Sequence, residues 1–318
     1  MAYDLEFERP LAALEAEILA LQLKGSCLNQ GELGQLQKAE HELRHRTEAI
    51  YHNLTSWQTV QVARHKDRPY AQDYLRLICD DFFELHGDRC FGDDRAILTG
   101  PAILGGNTVM FICHQKGRDV KAKRLHNFGM PHPEGYRKAY RLMHDAEKFG
   151  IPVICLIDTP GAFPGLEDEK RGQAAAIASN LYLMSRLRVP LIAAVIGEGG
   201  SGGALAIGIV DRLLMLEHSI YTVAAPEAAA SILWRDSALA PRAAEAMRMS
   251  ARELQSMSLV DDLVAEPLGG AHRDHRQAAQ YLKAALLKHL TELQQLPPGE
   301  LLEKRYRKFR DIGKFDRI

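Results

Sequence analysis

Gly197-Glu198-Gly199-Gly200-Ser201-Gly202-Gly203-Ala204-Leu205-Ala206-Ile207-Gly208 is the stretch whose reading decides the fold. An apolar run, Val189-Pro190-Leu191-Ile192-Ala193-Ala194-Val195-Ile196, leads into it. That run is short and rich in β-branched residues, as a buried strand requires. The small residues after the glycines suit a buried helix. The predicted unit is therefore strand, glycine turn, helix start. A helix start offers unpaired N–H groups and partial positive charge, and glycines let a ligand approach that backbone. Such a place can hold a phosphate, a carboxylate or a reaction oxyanion.

Upstream, the same unit occurs once more. Val153-Ile154-Cys155-Leu156-Ile157 reads as a buried strand. Asp158-Thr159-Pro160-Gly161-Ala162-Phe163-Pro164-Gly165 is a fixed loop by its Gly and Pro density. A helix is expected over residues 171–187, with Ile177, Leu181 and Met184 inward. Before this unit, Ala96-Ile97-Leu98 and Ala102-Ile103-Leu104 face Val109-Met110-Phe111-Ile112 across Gly105-Gly106-Asn107, a hairpin signal. A helix is expected over 133–149, with Tyr136, Tyr140, Met143 and Ala146 on its inner face, stopped by Gly150. After the glycine stretch, short strands at 213–216 and 220–223 precede helices over 228–234 and 242–249. A last short strand falls at Leu263-Val264. An amphipathic helix follows over 277–296, carrying Ala278, Leu282, Leu286, Leu290 and Leu293 at helical spacing.

The ends read as separate segments. Residues 1–68 form a helical N-terminal arm. Its first helix opens at Pro10 and carries Leu11, Leu14, Ile18 and Leu21; its second, over 32–53, carries Leu33, Leu36, Ala39, Leu43 and Ile50. These amphipathic helices either pack on their own domain or meet another subunit. Residues 57–83 read as a further helical pair broken near Arg68-Pro69. The central domain spans 69–296, and 297–318 form a basic tail, read as an exposed helix. Lys116, Arg118, Lys121, Lys123, Arg124 and His126 make a second basic run, read either as a solvated face or as a phosphate contact.

Composition narrows the class. With 318 residues, 46% hydrophobic and 25% charged, the chain has an ordinary globular make-up and room for a sizeable core. A formal net charge of −1 gives no bulk attraction to nucleic acid or an anionic membrane. Five cysteines without a CxxC pair argue against a disulfide framework or a zinc knuckle. The N-terminus has no apolar signal region, and no apolar run approaches a membrane span. A soluble cytoplasmic protein without its own metal is expected.

Three chemistries compete for the glycine stretch. A phosphate loop lacks the lysine of GxxxxGK[ST]. A nucleophile elbow fits, because Gly199-Gly200-Ser201-Gly202-Gly203 satisfies GxSxG between a strand and a helix, and Asp261 or Asp262 with His272 would complete the order Ser, Asp, His. An oxyanion hole without a protein nucleophile needs only adjacent backbone N–H groups, and Gly202 and Gly203 supply them.

Five motifs in order carry a resemblance over essentially the whole chain. They are Asn127-Phe128-Gly129-Met130, the loop from Asp158 to Gly165, Arg171-Gly172-Gln173, the stretch from Ile196 to Ala206, and Glu266-Pro267-Leu268-Gly269-Gly270-Ala271-His272. Together they resemble the carboxyltransferase alpha-subunit family of bacterial, multi-subunit acetyl-CoA carboxylase. The resemblance implies an α/β, crotonase-like (ClpP/crotonase) spiral of ββα units. It implies transfer of a carboxyl group from carboxybiotin, borne by a separate biotin carboxyl carrier protein, to acetyl-CoA, giving malonyl-CoA for fatty acid synthesis. Gly202 and Gly203 would hold the biotin oxyanion. Gly161, Ala162 and Phe163, with Gly199, Gly200 and Ser201, would line the substrate cleft. The implied partners are a zinc-ribbon beta subunit in an α2β2 heterotetramer, the carrier protein, and biotin carboxylase within an ATP-dependent complex. A bulky residue at Gly202 or Gly203 should abolish turnover without preventing assembly. One departure is visible: Ala228 and Ala229 stand where that family carries Gly and Cys before Ala-Ser-Ile-Leu-Trp.

Overall fold

Gly105 and Gly106 take φ of 53° and 81°, the left-handed pair that a two-residue primed turn requires. They join two strands in full antiparallel register, from Ile97 opposite His114 to Leu104 opposite Asn107. The computed structural model describes residues 5–313, so 314–318 of the basic tail lie outside it. Along the described chain come α1 (Arg9–Gln22), α2 (Gln30–His52), α3 (Ser56–Ala63), α4 (Ala71–Ile78), β1 (Asp81–Phe82) and the hairpin strands β2 (Ile97–Leu104) and β3 (Asn107–His114). Then follow α5 (Val120–Leu125), α6 (Pro133–Lys148), β4 (Val153–Thr159), α7 (Leu166–Lys170), α8 (Gln173–Met184), β5 (Leu191–Gly200), α9 (Ser201–Leu205), β6 (Arg212–Leu216) and β7 (Ile220–Thr222). The remainder is α10 (Pro226–Trp234), α11 (Ala240–Met247), α12 (Ala251–Ser256), β8 (Asp262–Val264), α13 (His275–Gln294) and α14 (Pro298–Arg310). Among these, no helix is long and apolar enough to cross a membrane.

The sheet runs β1-β2-β3-β4-β5-β6-β8, and β7 adds to the upper part of β5. It is antiparallel through β3 and parallel from there on. Parallel strands covered on both faces read as continuous apolar runs, which is why β4 and β5 were legible. Alternation sorts their side chains. Ile154, Leu156, Ile192, Ala194 and Ile196 face a core built with α4, α13 and α14. Val153, Cys155, Ile157, Ala193 and Val195 face α6, α8 and α9.

Several readings change. The glycines form no turn: β5 continues through Gly200 and α9 begins at Ser201. Pairing holds this extension straight, with Gly199 opposite Thr159 on one side and Tyr221 on the other. Asp81–Phe82 is an edge strand rather than the end of a helix, because it pairs with Ala102 and Ile103. Tyr140 is 38% exposed; Ala139 and Leu142 take the inner face with Tyr136, Met143 and Ala146. Leu33 is exposed on α2. α12, capped by Ser250 and Glu253 in a capping box, had escaped notice. Ala228 and Ala229 sit inside α10, where alanine is the better helix former by about 1 kcal/mol over glycine.

Both ends are tied to the body. α1 and α2 pair with each other. At their base the buried Glu8 carboxylate accepts from the Tyr51 hydroxyl at 2.7 Å and from Arg273 at 3.0 Å. Tyr51 meets the His218 ring edge-on at 5.3 Å. The basic tail is no exposed helix throughout, because Arg305 is fully buried. Its guanidinium forks onto Asp211 at 2.8 Å twice and donates to the carbonyls of Met184, Leu187 and Val189.

Candidate active site

The glycines at the top of β5 are not interchangeable. A Cβ on Gly197 would meet Asp158 Oδ1 at 2.5 Å, on Gly199 the Tyr221 ring at 2.4 Å, and on Gly200 the Pro160 carbonyl oxygen at 2.2 Å. On Gly203 it would meet the Gly161 carbonyl carbon at 2.5 Å and the Ala162 nitrogen at 2.6 Å. These four glycines let the β4 loop and β7 close onto β5. Gly202 differs: its nearest neighbour would be Ile177 Cδ1 at 3.8 Å, an ordinary contact. Ser201 is exposed, Gly202 half-buried and Gly203 buried. Ser201 holds φ of 53°, the left-handed region. Gly202 and Gly203 lie in the first turn of α9, where N–H groups have no acceptor in their own helix. Among the described residues no other backbone acceptor is bonded to them. α9 has only five residues, so any pull on an anion comes from these individual N–H groups rather than from a long dipole.

The loop after β4 closes the other side. Thr159 Oγ1 accepts from the Gly161 N–H at 3.1 Å and lies 2.6 Å from the Gly129 carbonyl oxygen. The Phe163 N–H donates to the Pro131 carbonyl at 3.0 Å. Gln173 Nε2 donates to the carbonyls of Pro131 and Phe163 at 2.9 and 3.0 Å. The His132 ring packs on Phe163, with centroids 4.6 Å apart, and pairs with Asp168. Gly161, Ala162 and Phe163 are thus held against α9, as the Gly203–Gly161 approach requires.

Beneath the glycines runs a line of charge, from buried to half-buried, that the sequence reading missed. Lys116 Nζ lies 2.7 Å from Asp158 Oδ1 and 2.8 Å from Glu198 Oε2. Arg64 bridges Glu198 at 2.5 Å and Glu227 of α10 at 2.6 Å. Arg68 Nε donates to the Ile196 carbonyl at 2.7 Å, and its fork meets Glu266 at 2.8 and 2.6 Å. Burial pushes the Glu198 carboxyl up, but Lys116 and Arg64 outweigh it and hold it at about 2. Burial acts likewise on Glu266, and Arg68 brings it to about 2. Burial opposes the charge on Lys116, yet Asp158 and Glu198 keep it above the ordinary lysine range. The basic run therefore splits: Lys116 is a buried brace, while Lys121, Lys123 and Arg124 on α5 are exposed. A lysine ahead of a glycine, aimed at Asp-Thr-Pro-Gly some forty residues on, leaves no local periodic signal.

The serine triad does not assemble. Asp262 lies opposite Leu214, which lies opposite Ala194. Ser201 is seven residues further along, roughly 20 Å at the strand rise of about 3.3 Å per residue. Asp262 bonds Lys288 and His289 instead, Asp261 pairs with Lys308, and His272 stacks on His65 with ring centroids 4.0 Å apart. Ser201 has the backbone of an elbow without its base.

A mostly parallel sheet whose strands end in backbone-lined loops against a short helix, with a small strand paired to the top of β5, is a crotonase-like fold. Solved structures share it. The transcarboxylase 12S core bound to methylmalonyl-coenzyme A matches at TM-score 0.56 and 22% identity over 71% of this chain and 42% of that one. The beta subunit of Pseudomonas aeruginosa geranyl-CoA carboxylase matches at 0.56 and 17%, over 77% and 46%. A Pseudomonas malonate decarboxylase hetero-tetramer in complex with coenzyme A matches at 0.56 and 20%, over 73% and 90%. Sequence narrows the class. The family model described as acetyl co-enzyme A carboxylase carboxyltransferase-like matches residues 4–313. Acetyl-coenzyme A carboxylase carboxyl transferase subunit alpha of Geobacter metallireducens is 53% identical over 98% of both chains, and that of Stenotrophomonas maltophilia 52% identical over 98% of both. The chain belongs to the acetyl-CoA carboxylase carboxyltransferase alpha-subunit family.

Proposed function

We propose that this chain is the alpha half of a cytoplasmic carboxyltransferase that works only when its beta subunit completes the site. Carboxybiotin, delivered by the carrier protein, is the donor substrate and acetyl-CoA the acceptor. The carboxyl carbon leaves the biotin nitrogen and bonds to the acetyl methyl carbon. The methyl proton goes to the vacated nitrogen. Negative charge grows on the ureido oxygen as the carboxyl group leaves, and the N–H groups of Gly202 and Gly203 meet it. One such donor is typically worth about 3–4 kcal/mol of barrier. The charge on the acetyl-CoA side is stabilised by the beta subunit. Ser201 faces the same opening, while Gly161, Ala162, Phe163, Gly199 and Gly200 form its wall and floor.

The observation that carries this reading is the contrast among the glycines. Packing accounts for Gly197, Gly199, Gly200 and Gly203, whereas at Gly202 nothing in the protein needs the missing side chain. No acid–base pair is required, and among the described residues no three of His, Cys, Asp and Glu gather to hold a metal. The test is biocytin-dependent malonyl-CoA decarboxylation by the chain mixed with its zinc-ribbon beta partner. Activity is expected in the mixture and in neither subunit alone. A folded, assembled and inactive mixture would refute the proposal. Capture of the beta partner, carrier protein and biotin carboxylase on the immobilised chain tests the assembly, and light scattering the α2β2 stoichiometry.

A further inference from the structure

β5 changes neighbours part-way up. Its pairing with β4 runs in step from Val153 opposite Leu191 to Ile157 opposite Val195, then resumes at Thr159 opposite Gly199. Three residues of β5 therefore stand against Asp158 alone. On its other side β5 leaves β6 after Val195 opposite Met215 and takes up β7 at Glu198 opposite Ile220. Among the described strands, Ile196 and Gly197 have no register partner on either side, and both are buried. Buried peptide groups must still be paired, and a bulge of this kind leaves the strand above it free to swing.

Two buried side chains fill the break. Arg68 Nε donates to the Ile196 carbonyl at 2.7 Å, and Asp158 Oδ1 accepts from the Glu198 N–H at 2.9 Å. The segment joining α3 to α4, which carries Arg68, lies against the same place: the Ala63 carbonyl oxygen is 3.3 Å from where a Gly197 Cβ would stand. The motif that opens at Glu266 finds its use here. Its carboxylate takes both arms of the Arg68 fork, the His218 N–H at 2.9 Å and the Ala271 N–H at 2.7 Å. Gly269 and Gly270, with φ of 83° and 95°, turn the chain so that Ala271 arrives. Arg68 cannot swing away from the Ile196 carbonyl without breaking that fork. We propose that Arg68 and Asp158 are positioning residues for the glycines: they stand in for the missing ladder bonds and fix the direction in which β5 delivers Gly202 and Gly203. Neither is asked to touch a reacting atom. Their effect on turnover rests on the carboxyltransferase reading above; the restraint itself is measurable without substrate.

The experiment pairs Arg68→Lys with Arg305→Lys in the assembled complex. Lysine carries a methylene where arginine carries Nε. Arg68→Lys therefore keeps a cation before Glu266 while the Ile196 carbonyl loses its donor. Arg305→Lys weakens a comparable buried fork, on Asp211, at the foot of the same strand, and controls for stability loss alone. Amide exchange over residues 189–195 and 196–203 is read by mass spectrometry, alongside biocytin-dependent decarboxylation well below the melting temperature. In Arg68→Lys, exchange over 196–203 should quicken while 189–195 stays protected. The kcat should fall about 100-fold, the cost of displacing a reacting group by about 1 Å, with KM for malonyl-CoA unchanged. Arg305→Lys should melt lower, exchange faster over 189–195 and keep its kcat. Wild-type exchange and wild-type kcat in Arg68→Lys would overturn the proposal. So would an equal loss of kcat in the two variants, since that marks a purely structural arginine. Should Arg68→Lys fail to fold, Asp158→Asn, which keeps the oxygen facing the Glu198 N–H, and Asp158→Leu, which removes it, decide. Most of the wild-type kcat in Asp158→Asn with a drop of about 100-fold in Asp158→Leu supports the restraint, and equal rates refute it. If the wild-type complex does not decarboxylate at all, the carboxyltransferase reading falls while the exchange result still decides the roles of Arg68 and Asp158.

Discussion

Gly203→Ala and Gly202→Ala differ by a single atom each, yet the structure assigns them opposite outcomes. An added Cβ at 203 lands 2.5 Å from the Gly161 carbonyl carbon and 2.6 Å from the Ala162 nitrogen, both backbone atoms. Ordinary contact begins at 3.4 Å. The loop or α9 must therefore retreat by about 0.9 Å, and a misplacement of about 1 Å can cost 100-fold in rate. At 202 the Cβ meets nothing closer than 3.8 Å, so the fold absorbs it. The expectation that either site tolerates a larger side chain structurally holds only for Gly202. Decarboxylation of malonyl-CoA with biocytin, measured in the complex with the beta partner, should drop about 100-fold for Gly203→Ala, with a lower melting temperature. Gly202→Ala should melt like the wild type and lose activity through a raised KM for biocytin, its methyl group standing where the ring would lie. If Gly203→Ala matches the wild type in rate and stability, the approach of the β4 loop to α9 cannot be what fixes the site.

Other outcomes follow from the buried charges and from Ser201. Lys116→Met leaves Asp158 and Glu198 side by side, and stability should fall by about 3–5 kcal/mol at pH 7. That deficit should narrow on acidification as the two carboxylates take up a proton; a urea midpoint unchanged at pH 7 would contradict it. Glu198 and Glu266 are held at about 2 against an ordinary 4.5, so each contributes stability that is fully present above 4.5 and lost as pH falls toward 2. At 1.36 kcal/mol per unit this is about 3 kcal/mol each; acid unfolding followed by Trp57 and Trp234 fluorescence should be steep across that window and shallower in Glu266→Gln. Ser201→Ala should retain most transferase activity, and a fluorophosphonate probe should leave Ser201 unlabelled; strong labelling would restore the hydrolase reading.

How much of this was legible in the chain depended on the range of the interaction. The Gly105-Gly106 turn, the β4 and β5 runs and the α13 stripe are set by neighbours within a few residues, and each falls where periodicity places it. The top of β5 is not local. Gly197, Gly199 and Gly200 read as part of a turn until strand pairing, with Thr159 and Tyr221 respectively 40 and 22 residues from Gly199, draws them into the sheet. Asp81–Phe82 and Tyr140 were misplaced for the same reason, since pairing with β2 and packing of α6 decide them. Gly202 and Gly203 were legible as backbone donors by their composition alone. Their inequality was not, because it arises from the loop at Gly161. Lys116 carried no signal of its burial, as a single residue whose partners Asp158 and Glu198 are brought in by parallel strand order.

The salt link between Arg305 and Asp211 spans 94 residues of chain. Asp211 sits at the head of β6, and its Oδ2, which also takes one arm of the Arg305 fork, accepts from the Leu191 N–H at the start of β5. During synthesis the strand that carries the glycines is made long before residue 305 emerges. Until then a carboxylate and the carbonyls of Met184, Leu187 and Val189 must stay wet, and that end of the sheet cannot seal. The last helix is thus a folding clasp. A chain cut short before it would keep every residue of the glycine stretch and still lack the means to close the core beneath them.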